Sequence, residues 1–194
     1  MNSEIFGLTY AARSVRVFDE DRRAEEETLR YFVDCARVTP SAGNMQLLKY
    51  KICCDDDTVK KIRPLTRWAG YIKDKKLPPD GKEPTSFIVI CHDKSIGGVT
   101  AFTQMDVGIA AQTINLAARE AGFAVCMIGS FEKEPLKELL CLGENTEPSL
   151  VIAIGAPLEQ PVICSVDENG SIKYFRDSAD LHFVPKRSLE EILL

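Results

Sequence analysis

The most constraining stretch of this chain runs from Gln104 to Phe131, where a small-residue helix passes through one glycine into a buried strand. Val107, Ala110, Ala111, Ile114, Ala117, Ala118 and Ala121 recur at steps of three and four, which gives a helix a single broad apolar stripe. Most of that stripe is alanine, which buries little area but lets another backbone come close. The helix therefore belongs at a crowded place, either the centre of the domain or a subunit interface. Gly122 supplies a left-handed stop, and Phe123 to Ile128 is a continuous apolar run short enough for a fully buried strand. The run ends at Gly129-Ser130, where backbone N–H groups become free to meet something outside the strand.

Around this stretch the chain offers elements of both kinds. Glu25 to Val38 is patterned as an amphipathic helix, with acids in its first turn and Leu29, Phe32, Val33 and Ala36 on one face. Leu47 to Cys54, Ser86 to Cys91 and Leu150 to Ile154 are expected strands, and Asp55-Asp56-Asp57 reads as a turn and N-cap for a helix from Thr58 to Ile62. Pro135 to Leu142 is a short expected helix. Asn169-Gly170 signals a hairpin or tight turn between Val162–Cys164 and Ile172–Phe175, and Ser188-x-x-Glu191 is a capping box for a last helix. Arg63 to Pro84, with four prolines, is the least regular part. Its cations Arg67, Lys73, Lys75 and Lys76 could attract a phosphorylated cosubstrate, or the loop could simply be solvated and anchored by Trp68 and Tyr71. The small strand count, with a hairpin late in the chain, gives an α+β fold: a mixed, mainly antiparallel central sheet flanked by helices.

Several functions are disfavoured. A net charge of −5 argues against a nucleic-acid partner, and no apolar run approaches the length of a membrane span. The seven cysteines are mostly embedded in apolar runs without C-x-x-C spacing, and His92 and His182 have no partner at zinc-type intervals, so no metal site is expected. There is no Ser-His-Asp set, nucleophile elbow or HExxH helix. Without a secretory signal or lipidation motif in view, the expected compartment is the cytoplasm.

Two local patterns carry chemistry. Arg13, Ser14 and Arg16 place two guanidinium forks around a hydroxyl, a possible phosphate grip, although so short a pattern also reads as surface pairing with Asp19, Glu20 and Asp21. Pro40-Ser41-Ala42-Gly43-Asn44-Met45-Gln46 packs a hydroxyl and two amides into one turn, which suits a ring edge alternating donors and acceptors and equally suits an ordinary loop.

In order along the chain, Arg13-Ser14-Val15-Arg16, Pro40 to Gln46, Asp106 to Gln112 leading into Ile128-Gly129-Ser130-Phe131, and Lys186-Arg187 together resemble the FMN-dependent nitroreductase family. The resemblance covers most of the chain. It implies a single FMN-binding domain over residues 1–194, with an arm from about 160 that contacts a partner subunit. It also implies an intertwined homodimer whose two FMN sites are each built from both chains, with the alanine-rich helix as the close contact between subunits. Arg13, Ser14 and Arg16 would hold the phosphate and ribityl end, and Lys186 and Arg187 would reach the same phosphate. Ser41, Asn44 and Gln46, from the partner, would contact the ring, while Ile128, Gly129 and Ser130 would lie against it near N5. Lys186 stands where an arginine is common, and no residue of Arg63–Pro84 can be matched to the pyrimidine side.

The implied activity is NAD(P)H-dependent reduction of nitroaromatics, quinones or similar acceptors by ping-pong hydride transfer, with the cofactor and no side chain as the catalytic group. The absence of a G-x-G-x-x-G turn after any strand fits a dinucleotide that visits and leaves. Action on one specific metabolite, and FMN binding or storage without turnover, keep the same binding residues. A flavin-free α/β domain is the bland alternative.

Overall fold

A computed structural model describes residues 3–194. Its centre is a five-stranded sheet built on the hydrophobic runs at Ser86–Asp93 (β3) and Thr146–Pro157 (β5), which pair antiparallel over most of their lengths. Leu48–Cys53 (β2) flanks β3. β5 also pairs antiparallel with Ala124–Ile128 (β4) and, at its end, with Phe18–Asp19 (β1). The central sheet is thus antiparallel throughout, and the mixed character expected of it is confined to a small C-terminal sheet.

Alternation along β3 assigns its side chains to two cores. Ile88 and Ile90, with Val125, Ile152 and Ile154, face the helices Glu26–Arg37 (α2) and Ala101–Glu120 (α4). Phe87, Val89 and Cys91, with Cys126, Ile128 and Val151, face Asp56–Ile62 (α3) and Lys133–Leu139 (α5) through Ile62, Leu136 and Leu140. Three layers result, each face of the sheet closed by helices. A further helix, Glu4–Ala11 (α1), lies against α4; its eight residues have no buried side chain and a weak apolar pattern, so it does not stand out in the sequence.

The alanine stripe packs inside the chain. Ala110, Ala111, Ala117 and Ala118 are buried against α2 and the sheet, so the stripe is not the subunit contact implied by the resemblance. The opposite side of α4 is the one presented to solvent, with Phe102 at 68% exposure and Met105 and Ile109 also exposed. The helix starts at a reciprocal Thr100–Thr103 capping box and stops as its sequence requires. Gly122, at φ +80°, donates to Arg119 O, and Phe123 donates to Ala118 O at 2.8 Å, the two bonds of a Schellman motif. The acid run likewise starts α3, with Asp55 Oδ1 accepting from Thr58 N–H at 2.9 Å.

Beyond β5 the chain forms an arm of three strands, Val162–Ser165 (β6), Phe175–Arg176 (β7) and His182–Lys186 (β8), and the helix Leu189–Ile192 (α6) with its Ser188 capping box. Of the hairpin or tight turn expected at Asn169-Gly170, the turn forms and the hairpin does not. Asn169-Gly170 does turn the chain, with Gly170 at φ +73° and the Asp167 carboxylate accepting from the N–H groups of Asn169 and Ser171. The strands on either side do not pair, because β8 comes between them, parallel to β6 and antiparallel to β7. No helix among the described residues is long and apolar enough to cross a membrane.

Gly155 on β5 is where Phe18 closes over the sheet edge: a Cβ there would stand 2.8 Å from Cδ1 of the fully buried Phe18 ring. Gly155→Ala is expected to cost about 1–3 kcal/mol of stability through overpacking, read as a lowered urea midpoint with an unchanged slope.

Candidate functional site

Phe18 lies at the end of an extended segment, Arg13–Val17, that runs beside β4, held there by the Val15 N–H donating to Val125 O at 3.0 Å. Arg13 and Ser14 sit at one end of this arrangement. The Arg13 guanidinium is half-buried, with Nη2 donating to Thr9 O at 2.8 Å and a buried Nε that has no partner. Ser14 is exposed. Gly129 lies four residues beyond Val125, about 13 Å along at the rise of a strand. Ile128 is buried, whereas Gly129 and Ser130 are exposed, and a Cβ built on Gly129 meets nothing within 4 Å. The chain then crosses the start of the long loop: the Arg67 N–H donates to Ser130 O at 2.9 Å, and Thr66 bridges Phe131.

Arg16 turns inward, unlike Arg13 and Ser14. It is 8% exposed, with its guanidinium carbon 4.7 Å from the Tyr174 ring centroid. Its backbone N–H donates to Glu159 Oε1 at 2.6 Å, and Nη1 meets His182 Nε2 at 3.4 Å. A guanidinium can only donate, so Nε2 accepts and the ring proton sits on Nδ1, which faces Glu159 Oε2 at 3.9 Å. Arg176, also buried, pairs with the same Glu159 carboxylate. Burial pushes the His182 imidazole down to about 4, and the Arg16 and Arg176 guanidinium groups push it the same way. The arm is therefore tied to the body by two buried arginines, one carboxylate and a neutral histidine, with the Nε atoms of Arg16 and Arg176 unpartnered. Tyr71 N–H donates to Tyr174 Oη, and Lys75 pairs with Asp180, so the long loop shares in the attachment.

Ser41, Asn44 and Gln46 occupy a separate loop. Gly43, Asn44 and Gln46 all have φ between +52° and +56°, a left-handed conformation that is costly for the two amides. Buried Asp106 of α4 holds the loop, its Oδ1 accepting from Ala42 N–H at 3.0 Å, and Ser41 Oγ accepts from Gln46 N–H at 3.3 Å. This loop enters β2, which is separated from β4 by β5 and β3, three strand spacings or about 14 Å. One chain does not bring the Ser41–Gln46 loop to the Arg13–Gly129 edge. Lys186 and Arg187, both exposed, end β8 beside Ser165, about 13 Å along from the His182 that meets Arg16. Among the described residues, no ion pair or hydrogen bond joins either to the Arg13–Ser14 segment.

Sequence reasoning missed Glu159 and Arg176 and weighed His182 only as a metal ligand; the three are spaced along an arm of alternating polar and apolar residues and meet only through its folding. Arg67 carried a faint signal as a cation in the loop, but nothing local tied it to Ser130. The loop's other cations are largely spoken for: Arg63 pairs with Glu83, and Lys76 with Asp80. Three of the cysteines, Cys53, Cys91 and Cys126, belong to packing, whereas Cys141 is exposed. Cys53 and Cys91 are pushed up to about 12 by burial, and burial also raises Cys126.

The family model described as the nitroreductase family matches residues 10–156. The chain belongs to the nitroreductase family. Among relatives, it is 27% identical over 153 residues to a Methanothermobacter thermautotrophicus protein whose name pairs NADH dehydrogenase with NAD(P)H nitroreductase, covering 77% of this chain and 75% of that one. A Desulfovibrio desulfuricans protein described as a nitroreductase in complex with FMN superposes with a TM-score of 0.72 at 19% identity, over 100% of this chain and 97% of the other. An FMN-dependent nitroreductase from Clostridium difficile R20291 superposes at 0.65 with 22% identity, over 80% and 88%. The two structural likenesses establish the nitroreductase fold. The segment from Arg13 to Arg16, the Ser41–Gln46 loop and the α4–β4 stretch all fall inside the family match, whereas Arg176, His182, Lys186 and Arg187 lie beyond it.

The His182 environment sets a pH dependence. In the unfolded chain the ring takes up a proton near pH 6.5, while in the fold it stays neutral until about pH 4. The unfolded state binds more protons in that window, so this contribution to stability is complete above about pH 6.5 and is lost as the pH falls towards 4. Urea midpoints measured from pH 7 to pH 4 should drop more steeply for the parent than for His182→Gln.

Proposed function

We propose that this chain is an FMN-dependent oxidoreductase that uses NAD(P)H to reduce nitroaromatics, quinones or similar acceptors in two successive half-reactions at one open face. The reading rests on family membership and above all on one arrangement: a cation and a hydroxyl in the segment that Val15 ties to β4, and an exposed backbone with open space above it where β4 ends. The donor set fits the cofactor. The buried, unpartnered Nε of Arg13 and the exposed hydroxyl of Ser14 suit a phosphate. Gly129, with no neighbour where a side chain would stand, admits a planar ring against the backbone of Gly129 and Ser130.

When bound, FMN supplies the electron transfer that no side chain here is arranged to perform. The chain's own groups do the remaining work. Arg13 and Ser14 anchor the phosphate, with Arg16 adding positive potential from beneath while it secures the arm. Buried Ile128 holds the end of β4 rigid, so that Gly129 and Ser130 present a fixed surface.

The Ser41, Asn44 and Gln46 loop completes this site from a second copy, since its own chain holds it three strands away. The exposed apolar side of α4, Phe102, Met105 and Ile109, together with Ile5 and Phe6 of α1, is the surface for that homodimer. Lys186 and Arg187 reach the phosphate if the arm of either copy approaches it.

The visible spectrum of the purified protein, with identification of the flavin released on denaturation, tests the cofactor directly. Rapid mixing with NADH and NADPH tests turnover; a yellow protein that neither dinucleotide bleaches would be a flavin binder and not a reductase. Arg13→Ala should lower FMN retention about tenfold, in line with a lost charge-assisted bond, while changing the rate per bound flavin little. Equal FMN content in variant and parent would remove the phosphate role from Arg13. Gly129→Leu should impair FMN uptake at near-parental thermal stability, and an unchanged spectrum and affinity would displace the ring from this position.

A further inference from the structure

The Gly129–Ser130 surface has a cation at its rim whose present partner is easily exchanged. Arg67 is fixed there by its backbone, the N–H donating to Ser130 O at 2.9 Å, with the adjacent Thr66–Phe131 bridge keeping the two segments in register. Phe131 turns inward onto the core below the sheet, which leaves the residues on either side of it, Ser130 and Glu132, facing outward in an extended segment. Arg67 pairs with that outward Glu132, and Nη1 donates to Pro64 O at 3.2 Å. Both side chains of the pair are roughly half exposed, 58% and 44%. An ion pair so open to water contributes little to stability. A guanidinium held at its base but weakly engaged at its tip is suited to bidentate capture of a passing phosphate.

We infer that Arg67 is the residue through which this protein recognises a phosphate group of its nicotinamide cosubstrate, exchanging Glu132 for the dinucleotide as it docks on the Gly129–Ser130 surface. The inference rests on the oxidoreductase reading above, which makes a dinucleotide the visitor at that surface. Glu132 is then a gatekeeper: it occupies the guanidinium when the site is empty and repels anions that bind less well than a phosphate. The phosphate belongs either to the pyrophosphate bridge, common to NADH and NADPH, or to the ribose 2′-position, present in NADPH alone.

Two measurements on the FMN-loaded protein distinguish these sources and expose a merely structural role. Titration of the oxidised protein with NAD+ and NADP+ by calorimetry reads affinity without turnover. Rapid mixing with NADH, NADPH and the uncharged 1-benzyl-1,4-dihydronicotinamide reads reduction with and without a phosphate on the donor. Arg67→Ala should weaken dinucleotide binding about tenfold and lower the ratio of dinucleotide to benzyl-dihydronicotinamide rates by the same factor. Arg67→Lys should recover part of the loss, and Glu132→Gln should tighten binding a few-fold. Loss for both dinucleotides assigns the pyrophosphate, and loss for NADP+ and NADPH alone assigns the 2′-phosphate. An unchanged ratio, whether because all donors slow together or because none does, overturns the inference while leaving the flavoenzyme reading intact. A protein that takes up no FMN, or whose flavin no dinucleotide reduces, overturns both, and the spectrum identifies that case.

Discussion

One close contact governs how the edge of the sheet is used. β5 is long enough to pair with β4 and then with β1, and Phe18 of β1 seats directly over Gly155, where a Cβ would crowd its ring. The segment before Phe18 is tied to β4 by the Val15–Val125 hydrogen bond. Arg13 and Ser14 are therefore anchored through the same packing that closes the core. A site framed in this way draws its geometry from buried van der Waals contacts and not from loops. Its two ends cannot drift apart without opening the sheet edge.

The elements that could be read from the chain are those whose signal is local. The alanine stripe, the Gly122 stop and the buried run after it specify α4 and β4 almost residue by residue, since helical period and left-handed glycine are short-range physics. Asp55 and Ser188 announced their helices for the same reason, a side-chain oxygen taking the N–H three residues on. Where tertiary pairing decides, the signal fails. β5 extends four residues before the apolar run that marks it, through Thr146, Glu147, Pro148 and Ser149, because β3 is there to pair with. Asn169-Gly170 makes the turn its sequence demands but cannot dictate which strands become neighbours, and β8 supplies a better partner to both. The stripe itself was legible as a packing surface, yet alanine permits close approach of any backbone, so the sequence could not say whether that backbone belongs to the same chain.

The candidate site divides along the same line. Arg13 and Ser14, and the Ile128 to Ser130 segment, are adjacent because each is tied to β4, and the family match covers both. Arg16, two residues on from Ser14, points the other way. Alternation along an extended segment would put Ser14 and Arg16 on one face, yet Arg16 is buried and Ser14 is not, because Glu159, Tyr174 and His182 of the arm close over Arg16. The consequence is a buried group of two guanidinium groups around Glu159 that fastens the arm, in which burial first and then the two positive charges keep His182 neutral, with Nε atoms left unpartnered. No spacing rule links residues 16, 159, 176 and 182, so this group is invisible until the chain is folded.

That asymmetry gives the two arginines separable duties. A guanidinium serving as a structural tie is saturated by its neighbours and sealed from solvent, and Arg16 meets that description on every side but Nε. One offered to a ligand needs a donor that is free or held by a partner easily displaced: Arg13 leaves Nε without a partner, and Arg67 holds only the half-exposed Glu132. On the proposed function, a cofactor phosphate held by Arg13 and a cosubstrate phosphate held by Arg67 would leave the surface over Gly129 and Ser130 free for whichever acceptor comes next. An acceptor would need no anionic group to stack there, and a surface asking only for a flat molecule, with charge recognition placed beside it, would admit chemically varied acceptors while still selecting its reductant.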